Sequence, residues 1–579
     1  MKKYFIFIFL IIVVLFSAVN YFKNKRLVLS SSHKSGIFLK PFKLTLFSNK
    51  TSVIRYTFDS SNPTSKSYKY QNPILINGQE SNDSLSYINT TIDTSIVNFG
   101  WRPPLGKQDQ ATVLKYAAFK GENCISDIKT LTFFIDKNLY YSSYPNTTKN
   151  KILNTIKSKR LTKIFPKDSI IHTKYKLPII SISTNKDSLF SNEKGLFVAG
   201  KSFDPNKINS GNYFERGKKF EREVFLQYFT RQGYLSFELD IGMRIHGGIT
   251  RRNPQKSLKF YAREEYGAEK IFFPFISNKG INRFILESMQ ESGGGQALIE
   301  DIVACEIVKD LKLESQKFQA VIVFINGEYW GIHNIRERLD ENYLSYKFDL
   351  PKDSFDIIDG NPSLGYESIH GSNSDYIKMI DFVKENELSN DSNYNLLSKE
   401  LDIENLIDYY SVEIFFANRD WPIHNIKMYR KKRGKWRFLL YDLDGGFTYK
   451  RDHTFNMFER ISKKEGYMYS ESTFLFRNLM TNQKFRNKFE YRYKEIIDLY
   501  MQPETTLPIV DSIANIYRVN MKSHINRWRY PWSVKHHWER DIENNIKDFL
   551  INREKSTLKN LENINKDIEN KRKTEVSNT

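Results

Sequence analysis

The sequence predicts a multidomain chain, a small all-β sandwich followed by an α+β domain with a helical C-terminal part. Three patterns predict it. Residues 37–136 hold short alternating strands with turn signals between them, as in Ser52-Val53-Ile54-Arg55-Tyr56-Thr57-Phe58 followed by Asp59-Ser60-Ser61-Asn62-Pro63-Thr64. From 177 onward, strand-like runs mix with a helix whose apolar residues recur on one face. From about 473 to 561 the chain reads as helices, with Trp528, Trp532 and Trp538 among charged residues.

A chain of 579 residues has room for roughly three or four domains. Hydrophobic residues at 40% and aromatics at 15% exclude a disordered protein. The net charge of +21 permits an anionic partner. Lys and Arg are scattered along the chain, however, and no basic run carries interleaved aromatics, so no nucleic-acid partner is expected. Cys124 and Cys305 are too few for a disulfide framework or a thiolate metal site.

Met1-Lys2-Lys3 followed by the uncharged apolar stretch 4–19 has the pattern of an export signal. Residues 1–22 therefore form a signal peptide or an N-terminal membrane anchor. Either way the chain is expected to be exported to the cell envelope, secreted or membrane-anchored, and to touch membrane only through this segment. Residues 24–36 read as a polar linker.

Further strands of the sandwich are expected at 112–119 and 130–135, and residues 137–176 read as a Lys-rich linker with a short helix. The main domain spans 177–560. Strands are expected at 179–183, 195–198 and 223–228, then at 242–246, running into the basic Gly-rich turn Gly247-Gly248-Ile249-Thr250-Arg251-Arg252. Residues 254–261 form the return strand, and helical signals run from 296 to 311. Asn326-Gly327 between two apolar runs is a hairpin turn. Asp402 is the N-cap of a helix burying Ile403, Leu406, Ile407, Tyr410, Ile414 and Ala417. Residues 561–579 are a charged tail with a frayed end.

Two adjacent segments concentrate oxygen-bearing side chains. Asn418-Arg419-Asp420-Trp421-Pro422-Ile423-His424-Asn425 places a carboxylate five residues before a carboxamide, in a loop that Pro422 keeps from becoming helix. Residues 435–446 form an apolar strand ending in Asp442, Asp444 and a diglycine. Residues two apart on a strand share a face, so Asp442 and Asp444 are expected to look into one cleft. Hard cations such as Mg²⁺ or Mn²⁺ prefer oxygen ligands of this kind. Protein kinases use a related spacing, with a catalytic Asp, an Asn five residues later and a second Asp after a strand. On spacing alone, loop-capping Asp and Asn residues account for the pattern better. Arg244, Gly247, Gly248 and Lys256 fit a turn and strand that cover phosphates.

Further stretches carry a resemblance: Arg244-Ile245-His246-Gly247-Gly248, Gln255-Lys256-Ser257-Leu258-Lys259, and residues 324–331 around Asn326-Gly327. They continue in Asn334-Ile335-Arg336-Glu337-Arg338-Leu339-Asp340, residues 418–422, and Tyr441-Asp442-Leu443-Asp444. In this order they resemble the CotH kinase family, the spore-coat protein H type of atypical protein kinase. The segment from Phe38 to about Asp136 resembles the β-sandwich module found at the C-terminus of chitobiase, on Tyr56-Thr57, the Asp59-to-Thr64 turn, Asn72-Pro73-Ile74 and Tyr116-Ala117-Ala118, with Ser60 where that pattern usually has Gly.

The CotH resemblance implies a kinase-like fold with ATP as substrate and Ser or Thr of a protein partner as acceptor. Asp420 would be the catalytic carboxylate, Asp442 the main metal ligand, and Asn425 and Asp444 its assistants. Lys256 would contact phosphates, with Lys259 on the opposite face as its competitor. Arg244, Gly247 and Gly248 would line the nucleotide. Glu337 would pair with Lys256 or cap a turn, and Trp436 would cover a base or belong to the core. The sandwich implies docking to a cell-surface polymer or protein. The family's Leu-Arg-Asn and Arg-Asp are here Leu286-Glu287-Ser288 and Glu300-Asp301, two arginines exchanged for glutamate. ATP is also scarce outside the cytoplasm. A catalytically inactive surface or assembly protein on the same fold is therefore a competing reading. Metal-dependent hydrolysis of a phosphoester or glycan is a third.

Overall fold

The computed structural model describes residues 27–577 except 79–83, 93–99, 137–139, 144–168, 208, 274, 291–294, 362–364, 423, 448–451 and 463–470. The expected signal or anchor at 1–22 and most of the expected linker lie outside the described residues. Among those described, no helix is long and apolar enough to cross a membrane.

The N-terminal part is all β. A six-stranded sheet runs Gly36–Phe38, Lys129–Ile135, Thr112–Lys120, Val53–Thr57 and Tyr68–Lys69, with Asn123–Cys124 added to the third. Two strand pairs, Leu29–Ser31 with Leu46–Ser48 and Phe42–Leu44 with Ile74–Ile76, close over one face around Leu44, Ile54, Leu114 and Phe133. Residues 29–38 thus belong to this module and are not a linker, because their backbone is consumed in strand pairing. The Asp59 turn forms, with the carboxylate accepting from Ser61 N–H at 3.0 Å. Ser60 sits at φ +63°, a left-handed position that favours glycine.

The second face of that sheet is also covered. Phe134 packs edge-on against Phe229 and Phe324 of the next domain, at ring-centroid distances of 5.4 and 4.9 Å. Covering on both faces leaves Thr112–Lys120 buried at every residue but the last.

The main domain opens with a closed seven-stranded barrel. Its order is Ile179–Ser183, Arg222–Phe229, Leu235–Ile245, Leu258–Tyr261, Arg283–Ser288, Glu328–Arg336 and Phe318–Ile325, and the last pairs in parallel with the first. Inward residues such as Met243, Leu258, Phe260, Leu286 and Val323 fill it. The Asn326-Gly327 hairpin forms as expected, with φ +49° and +84°. Residues 195–198 are not a strand; they are a buried turn. The return strand begins only at Leu258, so Lys256 precedes it.

A five-stranded sheet follows, ordered Glu314–Ser315, Arg437–Leu440, Ile426–Lys431, Phe355–Asn361 and Gly365–His370. One face packs on helix Glu341–Phe348. The other joins a large core with helices Ile403–Phe415, Gln483–Tyr500, Pro503–Trp528 and Asp548–Ser577. Asp402 caps its helix as expected, accepting from Asn405 N–H at 3.1 Å. Helix Asp548–Ser577 runs through the expected tail. Its residues Leu561, Ile564 and Ile568 keep the apolar periodicity that docks it.

Candidate active site

Helix Ile403–Phe415 ends where the first carboxylate loop begins, and a distant arginine holds that end. Arg553, fully buried, donates to the carbonyls of Ile414 and Phe415 at 2.8 Å and to those of His453 and Phe455 at 2.7 and 2.8 Å. Carbonyls at a helix C-terminus lack intrahelical partners, and a cation there also suits the helix dipole.

The two carboxylate loops are laced together just beyond. Asn418 donates to Glu413 Oε2 at 2.9 Å and to the Asp442 carbonyl at 3.2 Å, and accepts from Asp420 N–H at 3.2 Å. Arg419 N–H donates to the Gly445 carbonyl at 3.1 Å. A Cβ on Gly445 would lie 2.5 Å from Asn418 Oδ1, so the approach requires glycine.

Asp442 and Asp444 do not lie on a strand. The strand ends at Leu440, and Asp442 adopts φ +63°. A turn, not strand alternation, brings the two carboxyls into hydrogen-bonding contact. Asp301 closes the site from helix Glu300–Ile307, where its Oδ1 accepts from Leu443 N–H at 2.8 Å. Asp442 is open to water. Burial, then the charges of Asp301, Glu287 and Asp420, push its carboxyl up to about 7. Asp444 is pushed up as well, by burial and then by Asp442, Asp301 and Asp420. Asp420 is exposed, and the Asn425 carboxamide has no hydrogen-bond partner among the described residues.

A cationic row lies nearby on the outer face of the barrel. Register aligns Arg244, Lys259, Ile285 and Arg336 in one cross-strand row. Arg244 stands directly opposite Lys259, and like charges so placed repel. Lys259 has no hydrogen bond or ion pair among the described residues and is pushed down to about 7. Burial is the main cause, with Arg338, Arg251, Arg244 and Arg216 adding to it. His246, held neutral by burial and by Lys259, Arg338, Arg251 and Lys427, lies among them.

Several expected nucleotide-binding groups lie elsewhere. Lys256 is buried, its ammonium donating to the Arg251 carbonyl at 2.7 Å and standing 3.9 Å over the Tyr213 ring. It pins the Gly-rich turn from inside. Glu337 does not pair with Lys256; it accepts from Lys317 N–H at 2.9 Å and Tyr346 hydroxyl at 2.6 Å, so its turn-bracing alternative holds. Trp436 is a core residue, edge-on to Tyr376 and covered by Arg430. Arg244 reaches Glu221 at 2.7 Å and stacks on Tyr261. Gly247 takes φ +106°, and Gly248 is exposed with open space where a Cβ would stand.

Of the two glutamates, Glu300 turns inward and is fully buried, accepting from Ile299 N–H at 2.9 Å. Glu287 is half-exposed and meets Arg336 at 3.0 Å, while Asp301 meets the same guanidinium at 2.5 Å.

Sequence comparison gives this cleft its family. The family described as CotH kinase protein matches residues 243–557, and the one described as Fn3 associated matches 44–133. The chain belongs to the CotH kinase protein family. The CotH match holds both carboxylate loops, Lys259 and Arg553, and the Fn3-associated match lies within the all-β module. No curated protein matches the chain.

For a divalent cation the donor set fits. Asp420, Asn425, Asp442 and Asp444 offer only oxygen, and crowded carboxylates that hold protons against their own repulsion are stabilised by an added cation. Among the described residues, no three His, Cys, Asp or Glu side chains already form a metal-holding group.

Proposed function

We propose that this chain is an exported CotH-type protein kinase with a kinase-like fold, moving the γ-phosphoryl of ATP to Ser or Thr of a protein partner. The observation that carries the reading is an acidic group beside a cationic row. Asp442 and Asp444 feel Asp301 and Asp420, and Asp301 pairs at 2.5 Å with Arg336, which shares a cross-strand row with Lys259. Phosphoryl transfer needs this division, because catalysis there is mostly positioning and charge neutralisation.

Asp420 accepts the proton of the acceptor hydroxyl, and its exposure at the loop tip suits contact with a protein substrate. Lys259, rather than Lys256, holds the phosphates, since Lys256 is spent on the Arg251 carbonyl. Mg²⁺ or Mn²⁺, held by Asp442 with Asn425 and Asp444, would neutralise charge developing on the phosphoryl oxygens. Residues 1–22 would direct export or anchor the chain in the cell envelope, and the outer side of the β module would dock a surface polymer or protein. No nucleic acid takes part.

A catalytically inactive assembly protein on the same fold is the second reading. The half-exposed Glu287 favours it, because it adds negative charge beside Asp442, where polyphosphate would approach. Purified protein lacking residues 1–22, given labelled ATP with Mg²⁺ or Mn²⁺, separates the two. Label transfer lost in Asp420→Ala and Asp442→Ala supports the kinase. A folded protein that neither binds ATP nor transfers label supports the assembly role.

A further inference from the structure

The strand Ile426–Lys431 leaves the Asp420–Asn425 loop directly and carries Lys427 at its second position. Cross-strand register places Lys427 opposite Asp359, with an ammonium-to-carboxylate distance of 4.0 Å. The same ammonium stands 4.8 Å over the ring of Tyr441, the residue before Asp442. Its side chain is largely buried, while that of Asp359 is nearly half-exposed. At 4.0 Å the Asp359 contact is at the outer limit of an ion pair, so it leaves donor capacity on the ammonium unused.

Lys427 also feels both the cationic and the acidic groups. After Asp359, the charges acting on it are Arg338 and Asp340 from the barrel side and Asp442 from the metal side. His246, beside Lys259, feels Lys427 as well. A phosphoryl group in transit must lie between the metal-holding carboxylates and the phosphate-holding cations. Lys427 is the cation that stands there from the carboxylate side.

We propose that Lys427 is a further catalytic residue, neutralising the non-bridging oxygens of the phosphoryl group as it passes to the acceptor. This rests on the kinase reading above. In the step, the acceptor hydroxyl oxygen forms a bond to the γ-phosphorus while the bond to the β–γ bridging oxygen breaks, its electron pair leaving with ADP. The hydroxyl proton goes to Asp420, and Lys427 keeps its proton throughout. Its help is greatest when charge spreads over the equatorial oxygens, so it acts on turnover more than on nucleotide affinity.

The test compares Lys427→Gln, Lys427→Arg and Asp359→Asn with the parent protein, all lacking residues 1–22. The probe is labelled ATP with Mg²⁺ or Mn²⁺ and a protein acceptor, read as kcat and as KM for ATP, with thermal unfolding alongside. Lys427→Gln is expected to lose about 100-fold or more in kcat with KM changed only a few-fold, and Lys427→Arg to recover part of the loss. Asp359→Asn is expected to keep most activity. Equal losses in Asp359→Asn and Lys427→Gln would mean that Lys427 only braces the sheet, and unchanged kcat in Lys427→Gln would likewise overturn the assignment. Absence of transfer by the parent protein would overturn the kinase reading itself, with this inference.

Discussion

Replacing Asp442 with Asn should make the metal-free protein more stable at pH 8 while abolishing phosphoryl transfer. The carboxyl has an ordinary value of 3.8 and is held at about 7 in the folded chain, by burial and by its acidic neighbours. Below the ordinary value, folded and unfolded chains are both protonated there and the group is neutral to stability. As pH rises, the unfolded chain gives up the proton freely while the folded chain resists. Stability therefore falls from about pH 4 and levels off above about pH 7. At about 1.4 kcal/mol per tenfold change in proton affinity, the ceiling is about 4 kcal/mol. Asp442 is open to water, and screening reduces this to about 1–2 kcal/mol. Relief of Asp444, which feels the Asp442 charge, acts in the same direction. Urea unfolding in chelator at pH 5 and pH 8 reads the effect. The parent protein should lose about 1–2 kcal/mol relative to the variant across that interval, and added Mg²⁺ should return it to the parent only. A variant no more stable than the parent at pH 8 would show that the carboxylates do not crowd one another.

Three further outcomes are expected. Gly445→Ala places a methyl 2.5 Å from Asn418 Oδ1, which should cost about 1–3 kcal/mol of stability and, by parting the two carboxylate loops, about 100-fold in kcat, measured by unfolding and transfer assays together. Arg553→Met leaves four carbonyls without their buried donor and should cost about 3 kcal/mol or more, visible as a lowered Tm and faster amide exchange at the end of helix Ile403–Phe415. Ser60→Gly should raise stability by about 1 kcal/mol in denaturant unfolding, because it removes a left-handed non-glycine residue and a buried hydroxyl that has no partner among the described residues.

Local pattern made much of this legible. The Asn326-Gly327 hairpin, the Asp402 cap and the alternating strands of the β module depend on neighbours in sequence, and they form where the pattern puts them. The meeting of Asp442 with Asp444 was legible in their spacing, but the strand geometry expected for the pair does not form, since Asp442 turns left-handed after Leu440. Lys256 and Lys259 differ in sequence only by spacing. Their roles separate once Tyr213 and the Arg251 carbonyl, brought in by folding, claim one of them. Asp301 was flagged only as the neighbour of a substituted arginine, and its bond to Leu443 N–H spans 142 residues. Arg553 gave no signal at all. A lone arginine in a charged helix looks solvated, and only tertiary packing reveals that it is fully buried.

The contact between the β module and the barrel bears on what can fold alone. Glu328, only 2% exposed, receives the Ser84 hydroxyl at 2.5 Å and the N–H groups of Leu85 and Ser86 at 2.6 and 3.2 Å. Ala111 N–H donates to the Gly327 carbonyl at 2.6 Å, and Tyr329 N–H to that of Asp109 at 2.9 Å. A fragment starting at 177 would keep the Glu328 charge but lose its donors, and would expose the aromatic seat of Phe134 on Phe229 and Phe324. The boundaries at 133 and 243 mark kinship, not autonomy. The module and the barrel are expected to melt as one cooperative unit, and a fragment lacking the module is expected to aggregate.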